Sequence, residues 1–359
     1  MFIIDAHLDL AMNAMEWNRD LRLPVPELRD RENGLQDKPD RSRNTVSLPA
    51  LREAKAGLVV ATQIARFVKK GSTLPGWHSP EQAWAQTQAQ LAWYRSMEDS
   101  GEMIQVTRLD ALELQINKWK DSTIADSEKP IGYILSLEGA DSLVKLSYLD
   151  KAYSYGLRVL GPAHYGPGRY AGGTGTDDGF SEAGKSLLKE MDRLQMILDV
   201  THLTDLGFRQ AMEIYKGPVW ASHHNCRALV NNQRQLTDDQ IRILLERGAV
   251  IGGVMDAWML ADGWIRGVSL PKAMGTGLNR LIDHYDHICQ LAGNADHIAI
   301  GSDLDGAFGT EQSPYDLDTI ADLQKLPDLL KKRGYSENDI KKILYGNWLR
   351  FLRNAWKVN

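Results

Sequence analysis

Near its start the chain reads FIIDAHLD (residues 2–9), a short apolar run that leads into His7 and Asp9. Short, nearly continuous apolar runs are typical of parallel strands that are buried on both faces. We find eight such runs, and most of them lead into a titratable side chain, as this one does. They lie at residues 2–6, 58–65, 131–137, 157–160, 196–200, 219–222, 249–255 and 298–301.

Stretches with helical periodicity separate these runs, and one of them has a clear start signal. Thr237 is followed three residues later by Gln240, the capping-box spacing that satisfies free backbone donors at a helix start. Alternating strands and helices predict a parallel α/β sheet, and eight units predict a closed (β/α)8 TIM barrel. The predicted helices are 80–99, 181–194, 205–215, 237–247 and 278–292, with extra C-terminal helices at 323–332, 337–344 and 348–356.

The prediction is one barrel domain over residues 1–359, with long βα loops. The largest of these, residues 18–44, is rich in Arg, Asp and Pro and is expected to be a solvated loop. No linker, repeat or low-complexity tract divides the chain. Residues 313–318 are also expected to form a loop.

Composition excludes several classes of protein. Hydrophobic residues at 43% and charged residues at 25% are typical of globular proteins. Lys and Arg number 42 against 47 Asp and Glu, a net charge of −5, so there is no basic field for nucleic acid. Only two cysteines, Cys226 and Cys289, argue against a disulfide framework. With no signal peptide and no apolar run of about 20 residues, we expect a cytoplasmic protein without membrane contact.

Titratable side chains gather where the predicted strands end. The carboxyl ends of barrel strands face one pocket, so residues that follow different strands are expected to meet there. Four of the nine histidines lie at or just beyond predicted strand ends, which predicts a metal site. The residues that the runs lead into are His7 and Asp9, Glu138, His164, His202, His223 and Asp303.

The residue types favour zinc and hydrolysis. His7 and Asp9 stand two apart in an extended segment, so both side chains project from one face. Imidazole and carboxylate ligands suit zinc, and Glu138 has two oxygens that can bridge two ions. His202 and His223, on adjacent predicted strands, are available for a second site. Two nearby cations share a hydroxide, which predicts metal-assisted hydrolysis.

Several motifs occur in an order that resembles a known family. They are IDAHLD (4–9), SLEG (136–139), LDVTH (198–202), ASH (221–223) and IGSDLDG (300–306), followed by RGYSE (333–337) and GN (346–347). Over nearly its whole length the chain is similar to the membrane dipeptidase (renal dipeptidase) family of the amidohydrolase superfamily. The resemblance implies a zinc-dependent dipeptidase that hydrolyses the peptide bond of small dipeptides.

The resemblance also implies a ligand set for two Zn²⁺ per chain. In that set, Glu138 bridges both ions. His7 and Asp9 complete one site, and His202 and His223 complete the other.

The same resemblance implies that three further residues bind the substrate or transfer a proton. His164 matches the histidine that polarises the substrate carbonyl. Arg234 matches the arginine that binds the C-terminal carboxylate of the substrate, and a planar guanidinium suits that task. Asp303 matches the aspartate that carries the proton from the water to the leaving amine.

Some positions depart from the family or leave a choice open. Leu8 stands where the family usually has Asn, and His224 directly follows His223 and competes with it as a ligand. Asp305 competes with Asp303, because residues two apart on an extended segment face the same way. After the predicted strand 249–255 the family usually continues with Asn-Phe, and this chain has residues 256–260 instead. These residues are expected to line the pocket for a substrate side chain.

Other functions remain open at this stage. Another hydrolase on the same barrel, such as a deaminase, lactonase or phosphotriesterase, shares the fold, although Glu138 and Arg234 favour dipeptides. The segment GFSEAGKS (179–186) fits the P-loop pattern of nucleotide binders. The glycine-rich segment 166–178 cannot supply the strand that a P-loop needs, so we expect Ser181 to cap a helix and 166–178 to form a rim loop.

The remaining histidines and aromatic residues are expected to be structural. His284 and His287 have metal-compatible helical spacing, yet no carboxylate at a strand end accompanies them. His78 and His297 lie away from the predicted strand ends that carry the site. An aromatic group on the helix 80–99 is expected in the core or in a subunit contact, which allows a homodimer. It consists of Trp84, Trp93 and Tyr94.

Overall fold

Residues 1–357, the part of the chain that the computed structural model describes, contain nine strands in one parallel sheet. Hydrogen-bonded neighbours follow the order β7-β6-β5-β4-β2-β1-β9-β8. A parallel bridge between Ala221 and Ile251 joins the two ends of this order, so the sheet is a nearly closed barrel. The predicted (β/α)8 fold is confirmed. The strands are β1 (Ile3–Leu8), β2 (Ala56–Ile64), β3 (Met103–Gln105), β4 (Ile131–Glu138), β5 (Leu157–Gly161), β6 (Ile197–Asp199), β7 (Val219–Trp220), β8 (Ile251–Gly253) and β9 (Ile298–Ile300).

Helices lie between the strands and after the last one, as expected for this fold. The predicted helices 80–99 and 278–292 have the observed bounds, and Thr237 and Gln240 form the predicted capping box. Within residues 1–357, no helix combines the length and apolar character needed to cross a membrane. The helices are α1 (Leu10–Glu16), α2 (Val25–Arg31), α3 (Leu48–Glu53), α4 (Pro80–Asp99), α5 (Leu109–Lys120), α6 (Tyr148–Ser154), α7 (Glu182–Arg193), α8 (Asp205–Ile214), α9 (Asp238–Glu246), α10 (Ala257–Leu260), α11 (Leu278–Ala292), α12 (Leu326–Arg333), α13 (Glu337–Lys341) and α14 (Asn347–Ala355).

Strand β3 has no counterpart among the eight predicted runs. It pairs with the first half of β4, where Met103 faces Ile131 and Gln105 faces Tyr133. Three residues give no measurable alternation, and Ile104 is 42% exposed, so the apolar pattern carries no signal there.

The segment 18–44 is not the solvated loop that its composition suggests. Helix α2 lies inside it, and the side chain of Arg19 is fully buried. The Arg19 guanidinium donates to Glu32 at 2.8 Å and to Asp40 at 3.0 Å. Charged residues in this segment therefore pair with one another in the interior, where a buried charge requires such partners.

The barrel interior is filled by apolar side chains from alternate strand positions together with the C-terminal helix α14. Trp220 of β7 packs edge-on against Trp348 of α14, with ring centroids 5.2 Å apart. This buried cluster includes Ile4, Leu58, Ile134, Val159, Ile197, Trp348 and Phe351. The packing fixes the strands whose carboxyl ends carry the polar residues.

Two glycines allow the barrel to close tightly beside the future site. A Cβ on Gly252 would lie 1.9 Å from the carbonyl oxygen of Ser222, and one on Gly301 would lie 1.7 Å from the same atom. Any side chain at either position would therefore push β8 or β9 away from the residue that precedes His223.

Candidate metal centre and substrate site

The strands bring the candidate residues to one end of the barrel in a regular way. His7 lies within β1, and Glu138 is the last residue of β4. Four others each stand three residues beyond the end of their strand: His164 after β5, His202 after β6, His223 after β7 and Asp303 after β9. His202 and Asp303 have positive φ angles of 69° and 57°, so the chain turns sharply where these side chains enter the site.

Glu138 is the centre of the cluster. Its Oε2 lies 3.5 Å from Nε2 of His7, and its Oε1 lies 3.2 Å from Nε2 of His202 and 3.5 Å from Nε2 of His223. Ligand atoms about 2.0–2.1 Å from a tetrahedral zinc are about 3.4 Å apart. The two oxygens of Glu138 thus face two different groups of potential ligands at distances that suit metal coordination.

Two more carboxylates and one more histidine approach the same place. Nε2 of His7 is 3.9 Å from Oδ1 of Asp9 and 3.7 Å from Oδ1 of Asp303, and Nε2 of His164 is 3.9 Å from Oε1 of Glu138. Three groups within the described residues have the geometry to hold an ion. They are His7 with Asp9 and Glu138, His7 with His223 and Asp303, and Glu138 with His164 and His202.

The concentration of carboxylates in this cluster favours the binding of a cation. Burial raises the pKa of Asp9 to about 7, and Glu138 adds to that effect. Burial together with Asp9 and Glu138 also holds the pKa of Asp303 well above its usual range. Burial alone would lower the pKa of His7, but Glu138, Asp9 and Asp303 raise it to about 10. Crowded carboxylates that take up a proton when no other cation is near are typical of a metal site.

Neighbouring hydroxyl groups orient the ligands. Thr174 Oγ1 lies 2.9 Å from Nδ1 of His202, and Ser222 Oγ lies 2.8 Å from Nδ1 of His223. The Thr62 hydroxyl donates to Oδ1 of Asp9. Such contacts occupy Nδ1 of both histidines and leave Nε2 as the nitrogen that can bind a metal, although Nε2 of His202 also lies 3.5 Å from Nη2 of Arg234. The residues present therefore fit a metal ion.

Arg234 lies beside the cluster with unused hydrogen-bond donors. It is 3% exposed, and its Nη2 donates to the His223 carbonyl oxygen at 3.1 Å. Its Nε and Nη1 find no partner among residues 1–357. Burial lowers the pKa of Arg234, although the group stays a cation at neutral pH. A buried guanidinium with two free donors is suited to an anionic group of a ligand.

Arg66 is a site residue that the sequence reasoning missed. Its Nη2 lies 2.6 Å from Nδ1 of His164, and its Nη1 donates to the Pro75 carbonyl oxygen at 2.8 Å. An available signal existed, because Arg66 is the first residue after the predicted run 58–65. Arginine is not a metal ligand, so a pattern of metal-binding side chains does not include it.

The structure separates the two pairs of competing residues. Asp305 points away from the cluster, since its carboxylate accepts hydrogen bonds from the Thr45 amide at 2.6 Å and the Val46 amide at 3.0 Å. The positive φ angles at residues 303 and 305 end the extended geometry on which the competition was based. His224 is buried with neither ring nitrogen hydrogen-bonded to residues 1–357, and it belongs to none of the metal-compatible groups.

We expect Asp305→Asn to destabilise the fold rather than the chemistry. The substitution removes a buried negative charge that lies 3.9 Å from Arg19. It can also place an amide N–H next to the backbone N–H groups of Thr45 and Val46, which need an acceptor. A loss of about 2 kcal/mol in the free energy of unfolding is expected. Urea denaturation checks this, with Asp303→Asn as the control. Equal stability of Asp305→Asn and the unaltered protein would contradict the structural role.

The alternative motifs have structural roles. Ser181 accepts a hydrogen bond from the Gly184 amide and so caps α7, as expected, and Lys185 pairs with Glu182 at 2.7 Å. Nδ1 of His284 accepts a hydrogen bond from the Cys226 amide at 3.1 Å, and Nε2 of His287 lies 2.7 Å from Oδ1 of Asp238. Both histidines are thus hydrogen-bonded within the fold, as predicted.

Comparisons with known proteins point to one family. The family description that matches is membrane dipeptidase (peptidase family M19), over residues 1–359. An uncharacterized protein in the pqqA 5′ region of Klebsiella pneumoniae is 31% identical over 240 residues, which are 64% of this chain and 84% of that protein. Dipeptidase 3 of Macaca fascicularis is 27% identical over 242 residues, 65% of this chain and 47% of that protein. The chain thus spans about half the length of that relative.

A solved structure shares the fold over both full chains. The metallopeptidase called dipeptidase AC, of family M19, superposes with a TM-score of 0.78 at 23% identity, and the match covers 99% of each chain. At this level of identity the likeness establishes the barrel fold.

Proposed function

The chain belongs to the membrane dipeptidase family, peptidase family M19, and on that premise we propose that it is a zinc-dependent dipeptidase. The observation that carries the proposal is the position of Arg234. Its two free, buried donors lie next to a cluster of potential metal ligands centred on Glu138. A substrate with a free carboxylate close to a scissile amide fits both features.

We assign the metal ligands as two sets that share Glu138. His7 and Asp9 complete the first, and His202 and His223 complete the second. Two zinc ions held by these residues would supply Lewis acidity and a water nucleophile activated at neutral pH. The sharing is supported by the two oxygens of Glu138, because each lies nearest to a histidine of a different set.

His164 acts as a hydrogen-bond donor to the substrate carbonyl oxygen. A guanidinium can only donate, so Arg66 makes Nδ1 of His164 an acceptor and leaves the proton on Nε2. Nε2 is the nitrogen that faces Glu138. His164 is thereby held as the donor that a developing negative charge on the carbonyl oxygen needs.

Asp303 moves the proton in this scheme. Its Oδ1 lies 3.7 Å from Nε2 of His7, inside the cluster, and its raised pKa suits a group that accepts a proton and then releases it. Asp303 takes the proton of the attacking water and delivers it to the nitrogen of the leaving amine.

Dipeptides with a free C-terminal carboxylate should be hydrolysed much faster than their C-terminal amides. An amide cannot make the charge-assisted, two-point contact with Arg234, and this loss is expected to lower kcat/KM by about 100-fold. Steady-state hydrolysis of alanylalanine and alanylalanine amide measures the difference.

Arg234→Lys provides the control for that comparison. It keeps the positive charge but not the planar pair of donors, so it should lose most of the discrimination. Equal rates on the acid and the amide with the unaltered enzyme would contradict the assignment of Arg234.

A further inference from the structure

A cleft opens beside the reaction centre, and its charge bears on which dipeptides fit. It has a volume of about 600 Å³ and lies between the segment 66–74, which follows β2, and the rim loop that follows β5. Its polar lining includes Arg66, Lys69, Lys70, Tyr165, Thr174 and Thr176.

The cleft adjoins the catalytic cluster through Arg66 and Tyr165. Arg66 lines it and also contacts His164 at 2.6 Å. The ring of Tyr165 lies 5.1 Å from the rings of both His164 and His202, measured between centroids. Two extended residues span about 7 Å, so we expect a dipeptide held at His164 to reach this cleft with one of its side chains.

The charged side chains that line the cleft are all positive. No acidic residue is among those that line the cleft, and the carboxylates that act on Arg66, which belong to Asp141 and Glu138, lie outside the lining. Asp177 and Asp178 follow Thr176 in the chain but lie outside the lining. In a chain with a net charge of −5, three cations and no acid around one cleft form a local field that attracts an anion.

We propose that this cleft is a subsite for an acidic side chain, so that the enzyme favours dipeptides that contain Glu or Asp. The inference rests on the proposed dipeptidase function and adds the substrate class. Arg66 lies at the inner end of the subsite next to His164, and Lys69 and Lys70 lie on the outer loop. The substrate carboxylate supplies a negative charge that no residue lining the cleft provides.

Matched substrates isolate the effect of charge. Ala-Glu is compared with Ala-Gln, and Glu-Ala with Gln-Ala, each with the C-terminal residue in L and D forms, using the zinc-loaded enzyme. Glu and Gln differ little in size, so the ratio of kcat/KM reports charge. We expect at least one pair to favour the acid by about tenfold at low salt, and the ratio to fall in 0.5 M NaCl because salt screens the cations.

The double variant Lys69→Gln/Lys70→Gln tests the location of the subsite. It should lower the ratio of kcat/KM for Glu substrates to that for Gln substrates by about fivefold, as expected for two partly exposed ion pairs. Lys331→Gln/Lys332→Gln on α12 removes the same charge from an exposed pair elsewhere and should leave the ratio as it is.

The outcomes separate this inference from the function on which it rests. Equal kcat/KM for Glu and Gln substrates in every pair would overturn the subsite. An acid preference that both double variants retain in full would overturn its location. Hydrolysis of none of the dipeptides would contradict the proposed function itself.

Discussion

Replacing Glu138 with glutamine is expected to remove metal from both ligand sets and to abolish dipeptide hydrolysis. Both oxygens of Glu138 face candidate ligands, at 3.5 Å from His7 and 3.2 Å from His202. An amide offers one weak ligand atom in place of two charged ones. Since changes that only touch a ligand indirectly lower metal affinity about 10–100-fold, losing the shared ligand should exceed about 100-fold for each ion.

Asp9→Asn is the matched control for Glu138→Gln, because Asp9 belongs to one ligand set only. It should lose less metal than Glu138→Gln, and the loss should stay close to one ion per chain. Elemental analysis after dialysis measures both variants. Two ions retained in Glu138→Gln would exclude Glu138 as the shared ligand.

Replacing Asp303 with asparagine is expected to lower kcat by about 10²–10⁴ while both metals and the fold remain. Asparagine has nearly the same shape, but it can neither accept the proton of the water nor deliver one to the leaving amine. Measurements of kcat, bound metal and urea stability on the same sample separate these effects.

Asp305→Asn is the comparison that places the proton carrier. It should lose stability yet retain kcat below its unfolding transition, because its carboxylate faces Thr45 and Val46. Near-normal turnover by Asp303→Asn with metal bound, together with loss of turnover in folded Asp305→Asn, would transfer the role to Asp305.

The barrel and much of the site could be predicted from the sequence for one physical reason. Parallel strands buried on both faces leave apolar runs, and the residues that follow such runs must converge at one rim. The same logic placed Glu138, His164, His202, His223 and Asp303 together, and the structure brings them within reach of one another. The resemblance to the membrane dipeptidase family, drawn from the order of the motifs, is confirmed.

Features that depend on contacts between residues far apart in the chain, or on local backbone angles, could not be predicted from the sequence. The segment 18–44 is polar by composition, and only the fold shows that Arg19 is buried between Glu32 and Asp40. The different positions of the Asp303 and Asp305 side chains depend on backbone angles that leave the extended region, which a spacing of two residues cannot show. Strand β3 was too short to leave a pattern.

Titration of the metal-free enzyme with zinc tests the central claim most directly. Bound metal and the rate of alanylalanine hydrolysis are followed together at each addition. The account predicts no hydrolysis without metal and a rate that reaches its maximum at two zinc ions per chain. Full activity of the metal-free protein, or a maximum already reached at one ion per chain, would contradict it.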